Sequence, residues 1–190
     1  MGISRVIDRK SRDLFKEENK DRVAEIQIYP DPVLIKKAIP VQNIDGKVKM
    51  VVDRMAELMY ANKGIGLAAP QLGISRQIIV VDIGEGLKAL INPEIIEGNG
   101  ESILEEGCLS LPNIEVPVKR KEKVLIRGWN LQGKEVSLEL FGFLSRVYQH
   151  EIDHLNGILI IHHVSLLKRQ LLVKKMIKEL RHLKKKDYPL

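Results

Sequence analysis

Apolar residues between positions 48 and 61 recur at spacings of three and four, with Val48, Val51, Val52, Met55, Leu58 and Met59 falling on one face. That period predicts an amphipathic helix. Gly64-Ile65-Gly66 ends it in a tight loop. Residues 78–81 form a short, wholly apolar run that reads as a buried strand. Strand-like runs follow at residues 87–91, 102–104, 115–118, 123–129 and 135–140. Gly98-Asn99-Gly100, Pro112-Asn113 and Gln132-Gly133 separate several of them. The runs lie too close together for helical crossovers, so antiparallel pairing is expected. Upstream, residues 26–29 alternate weakly and meet Pro30-Asp31-Pro32, a short strand ended by a turn. Residues 145–156 read as a helix entered after Gly142, with Gly157 just past its C-cap. A last helix is predicted over residues 165–186 with Ser165 as N-cap. Strands and helices in this arrangement make the chain α+β: antiparallel sheets around a central helix, with an amphipathic basic helix at the C-terminus.

The chemistry concentrates on the first of the two C-terminal helices. His150-Glu151-Ile152-Asp153-His154 is an H-E-x-x-H pattern. Its two His are four apart, so both imidazoles project from one helix face and can grip one metal ion. Glu151 lies beside that face, where a carboxylate can take a proton from water. Two protein ligands leave a catalytic site one short. The spacing that places a third His six residues on meets Ile160 instead, although Gly157 is where that pattern needs it. His162 and His163 stand at the wrong spacing. A downstream Glu is a second option, and Glu179 would fill it from within the basic tail. Cys108 is the third, the one soft ligand in the chain. A metallo-endopeptidase using Glu179 and a metal-binding module without catalysis therefore stand as alternatives at this point.

Charge and composition bound the rest. The chain has 190 residues and a formal net charge of +6. Residues 165–190 hold nine Lys/Arg against two Asp/Glu, and residues 1–164 hold 22 against 23. A near-neutral body with a basic tail argues against a nucleic-acid-binding core, which needs its basic stripe on the body, and no DNA partner is expected. No apolar run approaches the ~18 residues of a membrane span. The single Cys108 excludes an intrachain disulfide and fits a reducing, cytoplasmic setting. Residues 1–24 have no apolar core for a secretory signal and are too acidic for a transit peptide. They read as an extension, partly helical around Leu14 and Phe15. The expected division is thus 1–24 extension, 25–164 catalytic domain and 165–190 basic helix. On the last, Leu166, Val173, Met176, Ile177, Leu180 and Leu183 share one side, opposite Lys174, Lys175, Lys178, Arg181 and Lys185, with Leu167 and Leu171 out of place.

Three segments occur in order: GIGLAAPQ at 64–71, EGCLSLP at 106–112 and QHEIDHLNG at 149–157. Together they resemble the peptide deformylase family over roughly residues 25–165. The resemblance implies removal of the formyl group from the N-terminal formyl-methionine of nascent polypeptides, with release of formate. It implies Cys108, His150 and His154 as ligands of one divalent metal ion, usually Fe(II), with Zn, Ni or Co able to occupy the site. Glu151 resembles the general acid/base, and Gln71 with the backbone N–H of Leu109 the donors to the oxyanion. Ile65, Gly66 and Gly107 resemble the edge that holds the substrate backbone, and Leu104, Leu144 and Val147 the walls of an apolar side-chain pocket. Glu106 and Arg120 match an ion pair bracing the Cys loop. Bacterial members are similar in using a C-terminal helix to dock on the ribosome, so residues 165–190 are an expected ribosome contact. Tyr148, Ser145 and Ile161-His162-His163 depart from the usual family residues.

Overall fold

The computed structural model describes the backbone of residues 26–187 and the side chains of residues 26–181. The expected extension with Leu14 and Phe15, and the tail side chains His182, Leu183 and Lys185, lie outside the described residues. Helix α1 spans Gly46–Ala61, and the Asp45 carboxylate caps it by accepting from the N–H groups of Lys47 and Val48. Strands β1 (Gly66–Ala68), β2 (Ile78–Val81), β3 (Lys88–Asn99), β6 (Lys123–Trp129) and β7 (Glu135–Phe141) form one sheet in the order β1-β2-β3-β6-β7. Strands β4 (Ser102–Cys108) and β5 (Leu111–Arg120) form a separate two-stranded sheet. Every strand pairing is antiparallel. Helix α2 spans Gly142–Leu155 and α3 spans Leu166–Asp187.

Strand β2 explains its unbroken apolar sequence. Ile79 and Val81 enter a core with Leu90, Val124, Ile126 and the α2 residues Val147, Tyr148, Ile152 and Leu155. Ile78 and Val80 enter a second core with Val52, Met55 and Met59 of α1. Successive side chains of a strand point to opposite faces, and here both faces are covered. A third core joins Leu111, Ile114, Val116 and Val118 of β5 to Leu159, Ile160, Ile161 and Met176. Helix α2 is held between the larger sheet and the β4–β5 hairpin.

Several boundaries differ from expectation for identifiable reasons. Residues 26–29 form no strand. Gln27 N–H donates to Gln71 O at 2.7 Å and Tyr29 N–H to Ser110 O at 3.0 Å, so the segment bridges two separate loops instead of pairing with one strand. β3 runs on past Pro93 because its register against β6 shifts between Ile91 and Glu94 and again between Ile95 and Glu97, which accommodates a residue without an N–H. Pro112 and Asn113 lie inside β5, and the turn falls at Leu109-Ser110. α2 begins at Gly142, three residues early. Gly157 does end it, at φ 72°, and a Cβ there would stand 2.7 Å from the Ile35 backbone, so both the turn and the close approach require glycine.

On α3, Lys168 N–H donates to Ser165 Oγ at 3.4 Å. Leu172, Val173, Met176, Ile177 and Leu180 pack on the third core. Leu166 does not join them: it is 64% exposed, because the packed stretch begins only where the helix lies over β5. Among the described residues, no helix is long and apolar enough to cross a membrane.

Candidate metal centre and cleft

Cys108 ends β4 at a break in the β4–β5 register, and His150 and His154 occupy one face of α2. Their potential ligand atoms all lie within 4.8 Å of one another. Cys108 Sγ stands 3.2 Å from His154 Nε2, and the two imidazole rings are 5.1 Å apart at 62°. Among the described residues this is the one His/Cys/Asp/Glu cluster of this kind. His162 is turned away, its Nδ1 accepting from Leu159 N–H at 2.9 Å. His163 instead bonds Asp153 at 3.0 Å. Glu179 is also elsewhere, half-buried and 3.4 Å from Asn113 Nδ2 of β5, so the endopeptidase arrangement is not assembled.

The donor set suits one divalent cation: one soft thiolate and two imidazoles would hold it with three protein ligands, the number a catalytic site uses. Two buried atoms beside it, His154 Nδ1 and Glu151 Oε2, have no hydrogen-bond partner. Burial drives the Glu151 carboxyl up to about 7, against the opposing pull of His150 and Arg120. Its other oxygen presses on the backbone of β1: a Cβ added to Gly66 would meet Glu151 Oε1 at 2.3 Å. Only glycine leaves room for the carboxylate at that position.

Behind His150 lies an ionic cluster. Glu106 is 7% exposed. It receives Arg120 Nε at 3.0 Å and Nη2 at 2.9 Å, a bidentate pair. Its Oε2 also faces His150 Nδ1 at 3.0 Å. Burial opposes the charge on Glu106, but the hydrogen bonds from His150 and Arg120 outweigh it and hold the carboxyl at about 2. Arg120 reaches Asp153 with its remaining nitrogen.

The triad opens into a cleft of about 1010 Å³. Gln71 lies on its wall with its amide fixed: Oε1 accepts from Ala68 N–H at 2.8 Å, while Nε2 donates to Ser110 Oγ at 3.2 Å and points toward Cys108 Sγ at 3.8 Å. Leu109, in the turn after Cys108, lines the same cleft, as do Ile65, Gly66, Gly107 and Val147. Among the described residues β1 pairs only with β2 and β4 only with β5, so each leaves one strand edge open there.

Two expected pocket walls are elsewhere. Leu104 is 52% exposed; it lies four residues up β4 from Cys108, roughly 13 Å away at strand spacing. Leu144 packs against the core of the larger sheet, on the face it shares with Tyr148. Phe143 lines the cleft instead, four residues before Val147 and seven before His150 on the same side of α2. Arg146, also buried on the cleft wall, was not anticipated. An Arg four residues before a ligand, and so on the ligand's side of the helix, was the available signal.

A Cys and two His side chains beside a buried, unpartnered carboxylate at the head of a cleft fit the class of metal-dependent hydrolases. The Polypeptide deformylase family matches residues 23–170, and the chain belongs to that family. It is 49% identical over 158 residues to the peptide deformylase of Thermodesulfovibrio yellowstonii, covering 80% of this chain and 96% of that one. Among solved structures it is similar to the Thermotoga maritima peptide deformylase at 47% identity and a TM-score of 0.73, covering 75% of this chain and 97% of that one. The Legionella pneumophila enzyme matches at 37% identity and a TM-score of 0.80, covering 84% and 96%.

Proposed function

We propose that this chain removes the formyl group from the N-terminal formyl-methionine of newly made polypeptides and releases formate. The observation that carries the reading is the unpartnered, buried Glu151 Oε2 beside the Cys108, His150 and His154 donors, at the head of a cleft flanked by open strand edges. Cys108, His150 and His154 would hold the metal ion, which when bound supplies hydroxide near neutral pH to attack the formyl carbon. The family resemblance points to Fe(II) as the native ion, with Zn, Ni or Co as replacements, and one thiolate with two imidazoles accommodates any of them.

The protein's own groups do the rest. The open edges of β1 and β4 present backbone N–H and C=O groups to an extended peptide, with Ile65, Gly66 and Gly107 alongside it. Val147 and Phe143 offer apolar surface to the methionine side chain. Gln71 Nε2, aimed by its bond to Ala68, and Leu109 N–H would donate to the oxygen on which charge builds; one such donor is typically worth about 10²–10³ in rate. Glu151 takes a proton from the attacking water and passes it to the leaving amine. The test is formate release from a formyl-Met tripeptide, run beside metal analysis of anaerobically purified protein. Stoichiometric metal with no formate released would overturn the reading.

We place residues 25–164 as the catalytic unit in the cytoplasm, where a lone thiol ligand stays reduced. Residues 165–190 are proposed as a docking face for the RNA-rich surface of the ribosome. Lys174, Lys178 and Arg181 are exposed while Met176 on the opposite side is buried. Reversing those three charges to Glu should therefore leave the packed side intact and abolish salt-sensitive co-sedimentation with ribosomes. Unchanged sedimentation would rule out the docking role.

A further inference from the structure

We propose that Arg146 is a positioning residue of the metal centre, holding the Glu106 carboxylate in the orientation that fixes His150. The proposal builds on the hydrolase reading above.

Arg146 is 3% exposed on α2, one turn before His150. Its Nη1 donates to Glu106 Oε1 at 2.6 Å and to Val118 O at 2.9 Å. Its Nη2 donates to Ser102 O at 2.9 Å and Ser102 Oγ at 2.8 Å. One guanidinium thus ties α2 to both strands of the β4–β5 hairpin and to the carboxylate between them.

With Arg146 in place, each oxygen of Glu106 has two donors. Oε1 receives Arg120 Nε and Arg146 Nη1; Oε2 receives Arg120 Nη2 and His150 Nδ1. A carboxylate held between two guanidinium groups is an acceptor only. His150 Nδ1 must therefore carry the hydrogen, which leaves the Nε2 lone pair as the ligand. Arg120 alone does not secure this geometry, because Asp153 draws on it from the other side. Without Arg146, Oε1 keeps a single donor, from a guanidinium that Asp153 also engages, and the carboxylate is held less firmly.

Packing alone does not account for the residue. Arg146 Nε is buried with no partner. Such an unmade bond is a cost that an apolar side chain of similar volume would avoid. What the apolar side chain lacks is a hold on Glu106.

The experiment uses the full chain stripped of metal and titrated with Co(II) against a competing chelator. Arg146→Met should weaken Co(II) affinity about 10–100-fold, the usual effect of losing a group behind a metal ligand. It should also alter the visible Co(II) bands and lower kcat more than it raises KM. If Arg146 works through Glu106, adding Arg146→Met to Glu106→Gln should change affinity by less than about twofold. Ser102→Ala, which removes one anchor of the same guanidinium without touching Glu106, should lower the melting temperature of the metal-free protein and leave Co(II) affinity within about twofold of the native value. Native-like affinity in a folded Arg146→Met protein would overturn the proposal, and so would losses that multiply in the double variant. If Arg146→Met does not fold, Arg146→Gln decides: a neutral amide can still hydrogen-bond to the hairpin but brings no charge to hold Glu106, so a weakened affinity supports the role and a native one refutes it. Co(II) affinity is read without substrate. A native chain that released no formate would sink the deformylase reading and leave this comparison standing.

Discussion

Cys108→Ser should leave the chain folded and cost it the metal, lowering affinity by more than about 10²-fold, because even a group behind a ligand is worth about 10–100-fold. The side chain is only partly buried and ends a strand, so the fold has little stake in it. The site has a large one. A hydroxyl is a hard and poorly ionised donor where the triad supplies its only thiolate. The measurement is metal content after dialysis together with formate release, and both should fall. The same substitution separates the family chemistry from an endopeptidase built on Glu179, for which Cys108 would be irrelevant. Retention of metal and turnover in the Ser variant would mean that the third ligand has been misassigned.

Glu151→Gln should do the reverse, keeping the metal and losing turnover by about 10²–10⁴-fold, the usual contribution of a general acid/base. The amide has almost the same shape, so the tight seat against Gly66 is preserved. What disappears is a group that can hold and return a proton. Its neighbours cannot substitute, since Glu106 is locked between His150 and Arg120 at about 2. Turnover and metal content measured on one preparation give the answer. A non-catalytic metal-binding module would bind its ion equally well in both forms and release formate in neither.

The frame was legible wherever the sequence period matched the burial. The apolar spacing of residues 48–61 gave α1 to within two residues of its start, and the continuous run at 78–81 gave a strand covered on both faces. Strand ends were less legible. Gly100 and Gly133 mark true connections, whereas Gly98 lies inside β3, and Pro112-Asn113 looks like a turn and lies within β5, because a two-stranded sheet has outer edges that need no N–H. In the site, the H-E-x-x-H pair is local and could be read from the helix period. Cys108 is brought to it by tertiary pairing alone: its chemistry offered it beside Glu179, and the family resemblance chose between them. Leu104 and Leu144 were misplaced as pocket walls for a related reason. Which residues line a cleft depends on how each strand and helix packs: Val147 does line it as expected, and on α2 Phe143 stands there while Leu144 packs into the core of the larger sheet. Arg146 needs three partners from two strands before its role exists.

The ligands' separation along the chain has a bearing on how the enzyme is made. Cys108 and His154 stand 46 residues apart, with β5, β6 and β7 threaded between them. The hairpin must close, the larger sheet must gain its last two strands and α2 must dock before all three donors can converge. An emerging chain therefore has no complete site to load. Acquisition of the ion waits for α2 to dock, well after Cys108 itself has been made.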